Sequence, residues 1–74
     1  MFDFHFVYSD GNTYDIKNVN KIMIYTPSSL KEVSGDSILT TPLPLKTTYL
    51  YTANGCITVS GTNLMIIDVL KQGN

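Results

Sequence analysis

The chain has no arginine and no tryptophan, and it carries a single cysteine and a single histidine in 74 residues. Each shortage closes off a class of function. Without arginine there is no planar fork for bidentate contacts to phosphate or guanine. The five lysines (17, 21, 31, 46 and 71) are scattered rather than run together, so the composition argues against a nucleic-acid partner. One cysteine leaves no internal disulfide, and one cysteine with one histidine falls short of the ligand set of a structural zinc site.

His5 and Cys56 are the sole candidates for a nucleophile and its base, and nothing in the sequence brings them together. His5 reads as a residue on the solvated side of a strand. Cys56 follows a turn glycine at a strand start and reads as small buried filler. Asp10-Gly11-Asn12 lacks the remaining ligands and the closing glutamate of a calcium loop, and Gly35 and Gly61 have no phosphate-loop spacing around them. The expectation is a protein that is not an enzyme and uses no metal or cofactor.

Charge is scarce too. Charged residues make up 15% of the chain and the formal net charge is −1, against about 25% in average proteins. Thr, Ser, Asn and Tyr supply the polar surface instead. No apolar run approaches the roughly 18 residues of a membrane-spanning helix. The first residues show neither a basic segment nor a continuous apolar one, so no secretory leader is read there. With a lone cysteine, the expected location is cytoplasmic.

What the chain has is β-strand pattern. Phe2, Phe4, Phe6 and Tyr8 alternate with Asp3, His5 and Val7, putting the aromatics on one face. A three-residue loop Asp10-Gly11-Asn12 would pair Tyr8 with Tyr14 and Phe6 with Ile16, leaving His5 opposite Lys17. Asn18-Val19-Asn20 breaks the alternation and reads as a bend or bulge. Lys21 to Thr26 forms a third strand, with Ile22 and Ile24 on one side and Met23 and Tyr25 on the other, and Pro27 ends it. Ser29-Leu30-Lys31-Glu32 fits a capping box, so a short helical turn is expected over residues 29 to 34 with Gly35 as its stop. Ser37 to Thr41 reads as a short strand, and Pro42-Leu43-Pro44 as an extended edge or crossover segment.

The segment from Leu45 to Lys71 reads as a three-stranded meander. Asn54-Gly55 is a strong hairpin signal. As the loop it would pair Leu50 with Val59 and Tyr51 with Thr58, placing Leu50, Ile57 and Val59 on one face and Tyr49, Tyr51, Cys56 and Thr58 on the other. A three-residue loop Gly61-Thr62-Asn63 would then pair Ile57 with Ile67, so that Met65, Ile67 and Val69 share the apolar face. The last strand is apolar on its second face as well, through Leu64, Ile66 and Leu70 beside Asp68. Such a strand is expected to be covered on both sides or to lie in an interface.

Together these features predict an all-β protein: one domain over residues 1–74, with six to seven short antiparallel strands in a small barrel or rolled sheet and one short helical turn. A chain of this size buries only about 60% of its unfolded surface, so self-association is plausible. The expected function is a protein-interaction module, a small accessory or inhibitor protein of the type phages encode, binding a partner protein or itself. The candidate residues are Tyr49, Tyr51 and Thr58 on the tyrosine face and Leu64, Ile66 and Leu70 on the last strand. The tyrosine face reads first as a second core layer, if the sheet curls into a barrel or the helical segment covers it, and next as an interaction surface. Two alternatives are a small barrel that stacks single-stranded bases on those tyrosines, and a homo-oligomer binding a small ligand between subunits.

Overall fold

A computed structural model describes residues 1–72. In chain order the elements are β1 (Phe2–Tyr8), β2 (Thr13–Val19), β3 (Lys21–Tyr25), β4 (Leu30–Ser34), α1 (Ser37–Thr40), β5 (Thr48–Thr52), β6 (Gly55–Val59) and β7 (Leu64–Lys71). They form two antiparallel sheets, one of three strands in the order β2-β1-β7 and one of four in the order β4-β3-β5-β6. The all-β expectation holds. The barrel does not close.

Period-two alternation builds the core between the sheets. β1 turns Phe2, Phe4 and Phe6 inward, and all three are buried, with Phe4 and Phe6 ring centroids 5.9 Å apart. The four-stranded sheet meets them with Ile22, Ile24, Val33, Leu50 and Val59, and α1 adds Ile38. Each such side chain contributes roughly 1.5–3 kcal/mol by leaving water. Thr48 shares this inner face, and its buried hydroxyl donates to the Lys46 carbonyl at 3.1 Å.

The chain changes sheets between β2 and β3. Its backbone turns at Asn20, whose N–H donates to the Tyr51 carbonyl (2.8 Å). Just before it the β1–β2 register shifts, from Phe4 opposite Ile16 to Phe2 opposite Val19, and Asn18 takes a positive φ of 62°. This bulge is pinned by Asp3, whose carboxylate accepts from the Gln72 side-chain amide (2.9 Å) and the Asn18 N–H (3.2 Å). Those bonds, Gln72's foremost, hold the Asp3 carboxyl below the usual carboxylate range.

Two local expectations exchange places. Residues 29 to 34 are not helical: Leu30–Ser34 is β4, paired along its whole length with β3 from Tyr25–Leu30 to Lys21–Ser34. The glutamate of the apparent capping box is a strand residue, and its serine lies in the turn before the strand. That turn is tied by Thr26, whose hydroxyl donates to the Ser29 carbonyl (2.8 Å) and accepts from the Ser29 N–H (3.1 Å). The helical turn falls instead at Ser37–Thr40, where a strand was expected. Four residues cannot hold a helix by their own bonds; burial of Ile38 holds this one. Pairing with β3 outweighs local propensity.

The meander is also corrected. β5 and β6 form the expected hairpin, but with Leu50 opposite Ile57 and Tyr51 opposite Cys56, because the loop is Ala53-Asn54. Likewise the first loop is Ser9-Asp10-Gly11, with Gly11 at φ 91° supplying the left-handed position, and His5 faces Asp15 rather than Lys17. Both registers slip by two residues, so every side chain keeps its expected face. β7, however, does not pair with β6. It crosses to the other sheet and pairs with β1, His5 opposite Asp68. A register shift between Val7 and Tyr8 leaves Met65 outside the regular alternation, so Leu64, Ile67 and Val69 turn inward while Met65 is exposed. Cys56, expected in the core, is exposed.

Two predictions follow from this packing. Phe4→Ala should cost about 3–5 kcal/mol in chemical denaturation, because it removes a ring from a site with no solvent access. A methyl at Gly61 would stand 2.4 Å from the Lys46 backbone. Gly61→Ala should therefore cost roughly 1–3 kcal/mol although residue 61 lies in a loop.

Candidate functional site

The outer face of the four-stranded sheet gathers residues by the same alternation that buries the inner one. One row across it reads Ser34, Lys21, Tyr51, Cys56, and the next reads Glu32, Met23, Tyr49, Thr58. Leu30 and Tyr25 follow at one end, 44% and 51% exposed. The one helical turn lies against β4 and β7 and sends Ile38 into the core, so this face is a surface, not a second core layer.

The aromatics on it are held in place. Tyr25 and Tyr49 meet edge to face with ring centroids 5.8 Å apart at 68°, and their hydroxyls are 3.0 Å apart. The Tyr25 bond raises the Tyr49 phenol above its ordinary value, with a smaller push from desolvation. Tyr51 is also raised, chiefly by hydrogen bonding with the Cys56 side chain directly across the ladder. Lys21 sits 4.9 Å over the Tyr51 ring and 3.2 Å from Glu32. The charges at the centre of the face therefore neutralise each other. What remains is aromatic edge, hydroxyl and thioether.

The six residues expected to form the site are not brought together. Tyr49, Tyr51 and Thr58 are adjacent on this face. Leu64 is in the core. Ile66 and Leu70 lie on the outer face of the other sheet, 46% and 70% exposed, beside Val7 and Asp3. Tyr25, Met23 and Leu30 complete the tyrosine face. Their membership depends on the β3–β5 pairing, and the shared side of Met23 and Tyr25 within β3 was its one local sign. On the three-stranded sheet, His5 Nδ1 lies 2.6 Å from Asp15. Cys56 belongs to the other sheet, so no histidine–cysteine pair forms. Among the described residues no three metal-ligating side chains converge, and no helix is long and apolar enough to cross a membrane.

A second feature runs along the side of the molecule. The seam between β4 and β7 is covered by α1, with Leu43 and Leu45 beside it. The opposite seam, between the edge strands β2 and β6, is open. Two clefts of about 490 and 660 Å³ lie along it, and both are lined by Asp15, Ile16 and Ile57.

Because hydrogen bonding raises the Tyr49 phenol, its stabilising effect is complete below about pH 10 and is lost as pH rises through the shifted value. A spectrophotometric titration should show Tyr49 ionising later than free tyrosine, and Tyr25→Phe should return it toward the ordinary range.

Comparison with known proteins places the chain beside none of them: no protein-family model, no curated protein and no solved structure matches it.

Proposed function

We infer that this protein is a non-enzymatic interaction module, an accessory or inhibitor protein, that binds a partner protein through the outer face of its four-stranded sheet. The observation that carries this reading is a pre-ordered, uncovered aromatic face whose central charges cancel internally. Tyrosines already fixed by one another lose little freedom on binding. Tyr, Met and other large side chains with few free charges are what the centre of a protein–protein interface uses. The partner surface that suits it is weakly charged, with an apolar anchor to sit between Tyr25, Tyr49 and Tyr51 and polar groups to meet Thr58 and Ser34.

Single-stranded nucleic acid is less well served. Stacking alone leaves the phosphates unneutralised, and Lys21, the lysine among the tyrosines, is committed to Glu32.

Partner capture from a host lysate should be compared between the parent and two variants that retain the fold. Tyr49→Ala should weaken the captured interaction tenfold or more, about the cost of truncating an interface hot spot. Leu70→Ser, on the opposite sheet, should leave it unchanged. Equal loss in both variants, or in neither, would refute the assignment to this face.

A further inference from the structure

We propose that two copies of this chain associate through the β2 edge, strand to antiparallel strand, about a two-fold axis passing by Ile16. The inference concerns a surface separate from the tyrosine face and does not depend on it.

The backbone supplies the first part of the argument. Tyr8 N–H donates to the Asn12 carbonyl at 2.9 Å, which sets the alternation of the β1–β2 ladder. Tyr14 and Ile16 exchange hydrogen bonds with β1, while Thr13, Asp15 and, at the start of the bulge, Lys17 turn their N–H and C=O groups outward. β2 is the last strand of its sheet. Among the described residues its outward groups have no strand partner, and such an edge recruits another strand unless it is blocked.

Side chains choose the occupant. In an antiparallel pair centred on Ile16, Asp15 of one copy stands opposite Lys17 of the other, and the reverse pair forms by symmetry. The two isoleucines meet at the axis on the inner face. Opposed opposite charges favour such a pairing, and opposed like charges disfavour it. Asp15 engages His5 through one carboxylate oxygen and keeps the second for the lysine.

The same operation at the other edges fails. Centred on β4 it opposes Glu32 to Glu32, and no register sets Lys31 against Glu32, because the two point to opposite faces. On β7 the charges Asp68 and Lys71 point to opposite faces, so no register opposes them, and α1 already flanks the strand. β6 offers no charge to set a register. Of the four edges, β2 is complementary to itself. The open seam beside it adds Tyr14 and Ile57, 56% and 40% exposed, as apolar surface to cover.

Charge reversal tests this directly. Light scattering over about a hundredfold concentration range should show the parent chain passing from monomer to dimer. D15K alone and K17D alone should each weaken the dimer about tenfold or more, since each turns two attractive contacts repulsive. Mixing D15K chains with K17D chains should restore association as a heterodimer, and so should the double variant D15K/K17D with itself. Amide exchange at Thr13 and Asp15 in the parent should slow as concentration rises. A monomer at every concentration overturns the proposal. So does a dimer indifferent to both reversals, or slowed exchange at β4, β6 or β7 instead. A monomer that still captures a partner through Tyr49 would leave the tyrosine face standing while removing this interface.

Discussion

The row of three phenylalanines on β1 is the constraint on which the rest of the architecture depends. β1 is hydrogen-bonded on both edges, to β2 and to β7, so it alone joins the three-stranded sheet together. Its inner face supplies the aromatic wall against which Ile22, Ile24, Leu50 and Val59 pack. With so small a chain, no second aromatic layer stands behind that wall. The outer faces of both sheets are consequently free of structural duty, and one of them carries the tyrosines.

The two seams between the sheets are treated differently. One is closed by a four-residue helical turn that contributes Ile38 to the core, and the strands there set no acid and base on one face. The other is left open, and its β2 edge alternates acid and base. In a dimer built on that edge, the two-fold axis stands normal to the three-stranded sheet. It carries both four-stranded sheets to the same side, so their tyrosine faces are presented together. A partner with repeated binding elements would then gain avidity without any new contact.

The strands were legible because side-chain direction repeats every two residues. Misplacing the Asn54 and Asp10 loops by one position slipped both registers by two, and Tyr49, Tyr51 and Thr58 stayed on the face assigned to them. Pairing partners were not legible in the same way. The helical turn and β4 exchanged places because Ser29 and Glu32 satisfy a local capping pattern, while the bonds that decide the matter come from β3. β7 was misassigned because a short loop after β6 is compatible with a hairpin or with a crossing to the other sheet. The close approach of Gly61 to the Lys46 backbone, which accompanies the crossing, has no local signature. Whether the tyrosines were core or surface followed from where one helical turn lay, and four residues with a single buried isoleucine leave almost no periodic signal.

The pairing of the first strand with the last has a kinetic meaning. Asp3 and the Gln72 amide it accepts from are 69 positions apart, and the β1–β7 ladder beside them is comparably distant in sequence. Contacts of this kind are reached only after most of the chain-closure entropy has been spent, so they slow folding. During synthesis the phenylalanines emerge well before the strand that completes their sheet. The β1–β2 hairpin can form early, but one edge of β1 stays unpaired until β7 arrives. That interval, rather than the finished molecule, is when the phenylalanine strand is most open to aggregation.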